Sequence, residues 1–264
     1  MKIGFIGCGN MGRAMLSGML DANKVIASQV YVSAKTSATR EALKQEYGVC
    51  VMGRNVDVVR NADVIFLGVK PQYYAEILEE IKGAICKETI LISMAPGKTC
   101  AWLEEQVGHS CKIIRIMPNT PSMVKEGMMG ICANENVSLT ELNAVYDLCG
   151  GFSKAEFVPE HLMDVVTAVS GSAPAYVFMF IEAMADAAVE GGMPRKQAYT
   201  FAAQAVLGSA KMVLKTGLHP GELKDMVCSP GGTTIQAVRV LEEHGMRAAV
   251  MDAMKACIDK SRKI

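Results

Sequence analysis

Apolar residues follow two rhythms along this chain, and the change from one to the other falls near residue 158. Before it, short runs in which nearly every position is apolar alternate with longer stretches whose apolar positions recur every three or four residues. The runs Lys2–Ile6, Gln29–Ser33, Val64–Val69, Thr89–Ser93 and Lys112–Met117 are too short for helices, and their continuous apolar character is that of strands covered on both faces. Between them, Arg13–Leu20, Thr39–Tyr47, Tyr73–Lys82 and Cys100–Val107 carry helical spacing. Strand and helix in alternation predict a parallel, doubly wound α/β sheet, whose ligands bind beyond the carboxyl ends of the strands.

From about Pro159 the pattern is helix after helix with no strand candidate: Glu160–Ser170, Ala173–Glu190, Arg195–Lys215, Pro220–Val227, Ile235–Leu241 and Met246–Lys263. The second of these is long and apolar enough to suggest a membrane span. Glu182, Asp186 and Glu190 fall at i, i+4 and i+8 on one face, however, which predicts a soluble amphipathic helix, N-capped by Ser172 with Pro174 in its first turn. The expected division is an α/β domain over 1–157 and an all-α domain over 158–264. Helices with Ala- and Met-rich faces have few polar surfaces to give to water, so an obligate dimer or larger assembly is expected.

Composition narrows the function classes. Half of the 264 residues are apolar, and 27 basic residues balance 27 acidic ones, so neither nucleic acid nor an anionic membrane is an expected partner. Nine cysteines without a C-x-x-C and four dispersed histidines predict reduced thiols and no metal site. With the first strand starting at residue 2, no targeting segment precedes it, and a cytoplasmic location is expected.

Candidate chemistry lies where strands end. Lys2–Ile6 runs directly into Gly7-Cys8-Gly9-Asn10-Met11-Gly12 and then a helix, the strand, G-x-G-x-x-G, helix order of a dinucleotide site. The first glycine allows a tight turn, the second lets backbone approach a pyrophosphate, and the third lets helix pack on strand. After the second strand, Ser33-Ala34-Lys35-Thr36 holds no carboxylate for a ribose 2′-hydroxyl and offers a lysine among hydroxyls, which favours NADP over NAD. Val69-Lys70-Pro71-Gln72, Ser93-Met94-Ala95-Pro96-Gly97 and Met117-Pro118-Asn119-Thr120-Pro121 each end an apolar strand and together predict a nicotinamide and substrate rim. In the helical third, Cys228-Ser229-Pro230-Gly231-Gly232-Thr233-Thr234 leads into a helix. Its two glycines and two threonines, read as turn, hydroxyls and N-cap, suit a small anion such as a carboxylate.

These motifs, joined by Ser170-Gly171-Ser172-Ala173-Pro174-Ala175 and taken in order over essentially the whole chain, resemble the pyrroline-5-carboxylate reductase family. The resemblance implies NAD(P)H-dependent reduction of a cyclic imine to L-proline, with NADPH the expected donor and NADH an alternative. It implies an N-terminal Rossmann domain and a C-terminal helical domain that interlocks with a dimer mate, the dimers often assembling into decamers. It also implies roles. Backbone N–H groups around Gly231, Gly232 and Thr233, beside Ser229, bind the substrate carboxylate, and the Thr234 hydroxyl bonds the ring nitrogen as the catalytic group. Ser170 and Gly171 wall the pocket, while Asn119, Ala95 and the Val69-Lys70-Pro71 turn hold the nicotinamide end. The chain departs from the family where an Asn-Arg-Ser-like triplet is usual and Ala34-Lys35-Thr36 stands, and at Pro96 and Lys98.

Of three other readings, a purely structural helical assembly module leaves the N-terminal half unexplained. A 3-hydroxyacid dehydrogenase of the same build needs a lysine four residues after a helix glycine, where Gly171 is followed by Ala175 and the next lysine is Lys196. A non-catalytic nucleotide-binding regulator would keep Gly7–Gly12 with no reason to retain Ser229–Thr234.

Overall fold

The computed structural model describes residues Met1–Lys263, which form two compact units: one of Met1–Ser172 together with the chain from Cys257, the other of Ala173–Ala256. Packing thus divides the chain later than the expected 157/158 boundary and returns its last turns to the first unit. Residues beyond 158 are held there by side chains, since Arg115 pairs with Glu160 at 2.7 Å and Met163 packs with Met117 and Cys132.

The first unit is built on an eight-stranded sheet of order β3-β2-β1-β4-β5-β6-β7-β8. The strands are β1 (Ile3–Ile6), β2 (Val30–Ser33), β3 (Cys50–Met52), β4 (Val64–Leu67), β5 (Ile90–Ser93), β6 (Lys112–Met117), β7 (Gly127–Ala133) and β8 (Ser153–Phe157). All pairs are parallel except β6 with β7. The helices are α1 (Asn10–Asp21), α2 (Ser37–Tyr47), α3 (Asn55–Asn61), α4 (Tyr74–Ile81), α5 (Cys100–Val107), α6 (Leu139–Cys149) and the short α7 (Met163–Val166). A π-helical turn, Thr167–Gly171, follows α7.

The period of two explains the two cores. Ile3, Phe5, Val64, Phe66, Ile90, Ile92, Ile114 and Ile116 face one layer with Met15, Leu16 and Met19 of α1 and Val145 and Leu148 of α6. Their sequence neighbours Ile6, Ile65, Leu67, Leu91 and Ile113 face the other, with Val58, Val59, Leu78, Ile81 and Leu103. Phe5 and Phe66 stack with centroids 4.9 Å apart. Because β1 lies between β2 and β4, the helices leave on opposite faces there, and a crevice opens at the carboxyl ends of β1 and β4.

The second unit contains α8 (Ala173–Glu190), α9 (Arg195–Thr216), α10 (Pro220–Val227), α11 (Thr233–Glu243) and most of α12 (Met246–Ser261). Its buried side chains, among the described residues, are Ala185, Ala198 and Ala202. Phe178, Met179, Phe201, Leu207, Leu214, Met226 and Met251 are all exposed in the single chain. The expected N-cap at Ser172 does not form. Ser172 is helical at φ −93° and ψ −22°, and the helical path runs through it from Glu160 to Glu190, so no chain end needs capping. That run is long and apolar enough to cross a membrane by length and composition. Helices that bury only small residues against each other leave their large apolar side chains for another surface, and Ala-lined packing of α8 on α9 explains why the run is so apolar.

The first unit depends on a close approach of α1 to the turn before β8. A Cβ on Gly18 would meet Phe152 Cβ and lie 2.9 Å from the Gly151 carbonyl oxygen. Gly18→Ala is expected to lower stability by about 1–3 kcal/mol, because backbone rather than a side-chain tip must move. Thermal denaturation checks this, and an unchanged midpoint would show that the crossing tolerates a methyl group.

Candidate active site

The turn after β1 is shaped by its glycines. Gly7 has φ +78°, and a Cβ there would lie 2.5 Å from Val69 Cγ1 and 3.0 Å from the Gly68 carbonyl oxygen. Gly9, the N-cap of α1 with no side-chain cap, is exposed, and a Cβ on it would meet nothing within 4 Å. Gly12 packs 3.5 Å from the Gly7 carbonyl oxygen by the same construction. The N–H groups of Asn10, Met11 and Gly12 have no intrahelical acceptors, so an uncovered helix start faces the crevice. A pyrophosphate fits this cradle. Between the glycines, burial pushes the Cys8 thiol up to about 12 against the lowering effect of Arg13, so it stays protonated.

At the end of β2 the side chains are already engaged. Ser33 is buried, its Oγ donating to Asn55 Oδ1 at 2.7 Å. Thr36 is the N-cap of α2 and accepts from the Thr39 N–H at 3.1 Å, while Arg40 Nη1 donates to the Ala34 carbonyl at 2.7 Å. Lys35 is exposed with its ammonium 5.9 Å from the ring centroid of Tyr73, a residue that follows β4. Thr36 and Ser37 are exposed as well, and Lys35 is the exposed cation of this loop.

The rim beyond β4 and β5 is tied by a residue that the motifs do not indicate. Tyr74 donates its hydroxyl to the Leu67 carbonyl at 2.9 Å and accepts from Ser93 Oγ and the Met94 N–H at 3.4 and 3.3 Å. Burial pushes this phenol up to about 12, so it remains a neutral donor. One side chain therefore joins the Val69-Lys70-Pro71 turn to the Met94-Ala95 turn. Ala95 is buried and Lys70 exposed. Gly68 is a second residue missed by sequence reasoning, its N–H donating to the Ile6 carbonyl at 2.9 Å. Asn55, held between Ser33 and Glu80, is a third.

Asn119, beyond β6, spends its amide on protein. Nδ2 donates to the Ser170 carbonyl at 3.2 Å and to Ser170 Oγ at 3.4 Å, and Oδ1 accepts the Met128 N–H at 3.0 Å. Ser170 Oγ in turn donates to the Met128 carbonyl at 3.3 Å. The π-turn explains the acceptor, since a widened helical turn leaves carbonyls without their usual partners. Gly171 sits at the end of this turn, where a Cβ would lie 3.6 Å from Met117 Cγ.

In the second unit, the loop before α11 has a different construction from the one expected. Gly231, at φ +70°, makes the turn, and Gly232 is extended and serves as the N-cap, so Thr233 and Thr234 are the first two helical residues rather than caps. The Gly232 N–H is used within the turn, donating to the Ser229 carbonyl at 3.0 Å. The available donors are therefore the N–H groups of Thr233, Thr234 and Ile235, with no intrahelical acceptor and the positive helix end behind them. A Cβ on Gly232 would meet the Ser229 hydroxyl and come within 3.1 Å of its carbonyl oxygen.

A glycine cradle at the switch point of a doubly wound sheet, followed by a helical unit, is the build of two-part dinucleotide-dependent oxidoreductases. The family model described as NADP oxidoreductase, coenzyme F420-dependent, matches residues 2–97, and the one described as pyrroline-5-carboxylate reductase dimerisation matches residues 160–264. The chain is 52% identical over 263 residues to the pyrroline-5-carboxylate reductase of Escherichia coli K12, covering 100% of this chain and 98% of that protein. Its identity to that of Methanosarcina acetivorans is 43%, over 100% and 97% of the two chains. The crystal structure of Plasmodium falciparum pyrroline carboxylate reductase with NADP bound superposes with a TM-score of 0.90 at 34% identity, covering 100% and 97%. The chain belongs to the pyrroline-5-carboxylate reductase family. The 3-hydroxyacid dehydrogenase reading is not favoured.

Asn119→Ala is expected to lower the thermal midpoint as well as activity, because it strands the Met128 N–H and loosens Ser170, a loss of about 1–3 kcal/mol. Loss of cofactor affinity at an unchanged midpoint would instead assign the amide to the cofactor. Thermal shift and dinucleotide titration on the same variant separate the two.

Proposed function

We propose that this chain reduces L-1-pyrroline-5-carboxylate to L-proline, with its two units carrying different parts of the task. The observation that carries this reading is the pair of separately built receptors, the open cradle at Gly7–Gly12 and the uncapped start of α11 at Gly231–Thr234. Reduced nicotinamide, when bound, supplies a hydride to the C=N bond. Gly7, Gly9, Asn10, Met11 and Gly12 receive the pyrophosphate, and Ser33, Lys35 and Thr36 border the adenosine end. Val69, Lys70, Pro71, Ala95 and Asn119 border the nicotinamide, Asn119 acting by holding Ser170 in place. Lys35 favours NADPH, because a 2′-phosphate needs a cation and a ribose hydroxyl does not.

The substrate carboxylate is received by the N–H groups of Thr233 and Thr234, within the Ser229-Pro230-Gly231-Gly232 turn. Charge-assisted bonds at a positive helix end suit it. The Thr234 hydroxyl bonds the ring nitrogen. A cyclic imine takes its proton from water, so these residues orient the substrate rather than act as strong acids. Proximity and exclusion of water then provide the acceleration.

The working unit is a homodimer in the cytoplasm, with five dimers joining into a decamer as the larger assembly; its functional domains are 1–157 and 158–264, a division that follows the dimerisation match over 160–264 rather than the packing boundary after Ser172. What supports the dimer is the apolar surface of α8–α12, together with the dimerisation family match over residues 160–264. An initial-rate assay with pyrroline-5-carboxylate and each nicotinamide in turn tests the reading as a whole. No imine-dependent oxidation of either cofactor would overturn it.

Lys35→Ala is expected to weaken NADPH binding by about 1–2 kcal/mol and leave NADH binding nearly unchanged. Equal losses for the two cofactors, measured by titration, would remove the lysine from the 2′-phosphate.

Thr234→Ala deletes a hydroxyl while leaving the turn and its backbone donors. Its loss is expected chiefly in the hydride-transfer step, at ~2–4 kcal/mol, with NADPH affinity unchanged. Gly231→Val forces a β-branched residue to φ +70° and should abolish substrate binding itself. Wild-type single-turnover kinetics in both variants would place the substrate elsewhere.

A further inference from the structure

Outside these receptors, the fold gathers three side chains that no sequence spacing connects. Cys100 opens α5, Cys132 lies on β7, and Glu160 begins the helical path after β8. Their sulfur and oxygen atoms all lie within 4.8 Å of one another, and both thiols are buried. The carboxylate is held from behind. Glu160 Oε1 accepts the backbone N–H of Cys100 and Nη1 of Arg115, each at 2.7 Å, and Arg115 is the register partner of Cys132 across β6 and β7. Imine reduction has no use for this group.

We propose that Cys100, Cys132 and Glu160 form a binding site for a soft divalent cation of the zinc class. Two thiolates and one carboxylate are ligands that such an ion takes in tetrahedral sites, with one position left for water. The outer hydrogen bonds on Glu160 are of the kind that orient a ligating carboxylate. Charge also balances. An entering M²⁺ displaces the two thiol protons, so the buried cluster keeps its net charge while Arg115 continues to neutralise Glu160. The Glu160 side chain is 37% exposed and gives the ion a route to thiols that are 6% and 7% exposed. A filled site ties the start of α5, β7 and the Glu160 turn together within the first unit. Because the unfolded chain does not bring the three ligands together, binding there stabilises the native state. Hard cations such as Mg²⁺ have no place among two sulfurs.

The test uses the full chain, reduced, stripped with a chelator and titrated with Cd²⁺. A sulfur-to-metal charge-transfer band should saturate at one ion per chain, with two protons released per ion and a raised thermal midpoint, while Mg²⁺ does none of this. The double variant C100S/C132S should lose the band and the thermal shift. Glu160→Gln should retain them with affinity lowered about 10- to 100-fold. Since that change also breaks the Arg115 pair, Cys132→Val, which keeps both, provides a second test and should likewise abolish saturation. An undiminished band in C100S/C132S would assign binding to the other cysteines and overturn the proposal. So would a reduced wild-type protein that shows no saturable band, or one whose two thiols join in a disulfide instead of taking the ion.

Discussion

At the carboxyl ends of β1 and β4 the backbone touches itself with no side chain between. A Cβ on Gly68 would meet the Gly7 carbonyl oxygen, and one on Gly7 would press on Val69 and Gly68. The two turns are laced to neighbouring strands, Gly7 N–H to the Ser33 carbonyl at 3.0 Å and Gly68 N–H to the Ile6 carbonyl at 2.9 Å. This contact sets the direction in which α1 departs and so where its uncovered N–H groups point. It also places the Val69-Lys70-Pro71 turn beside the cradle. Both ends of the dinucleotide site therefore follow from a clearance that only glycine satisfies at Gly7, where φ is positive and space is short.

The parts of the fold readable from the sequence were those whose apolar pattern was long or continuous. Cys100–Val107 and Lys112–Met117 coincide with α5 and β6 at both ends. The elements left unassigned were β3, α3, β7, α6 and β8. β3 is three residues long, the apolar run of β7 is interrupted by Gly127 and Gly130, and β8 alternates over only five residues with Ser153 and Ala155 inward, so none gives the strong run of branched apolar residues that marks the other strands. α6 did carry a signal, the Ser138/Glu141 capping box, whose reciprocal bonds are present. In the site, the glycine motifs were legible because they are local. Tyr74, Asn55 and Gly68 were not, because their roles arise from strand ends that meet only in the sheet. The Thr233–Thr234 pair reads as a cap in the sequence and is not one for a related reason: Ser, Thr and Gly all start helices, and only the backbone tells which residue is last outside.

The second unit follows a different logic. Its internal packing is made by alanines, which let α8 and α9 approach closely and leave Phe178, Met179, Phe201 and Leu214 directed elsewhere. Such helices specify their own pairing well and their solubility poorly. An apolar surface of this extent belongs to a core completed by another copy, as the dimerisation match over 160–264 indicates.

The return of the chain to the first unit has a consequence for synthesis. Cys257 donates to Ser172 Oγ at 3.3 Å and Ser261 Oγ to Asp164 at 2.6 Å, so residues from the far end of α12 finish the packing of a unit begun at β1. On the ribosome the sheet can assemble early, but the Asp164–Ser172 segment waits for its partners until the whole helical unit has emerged. Vectorial folding of this protein is thus not a simple matter of first unit, then second: the first to start is also the last to close.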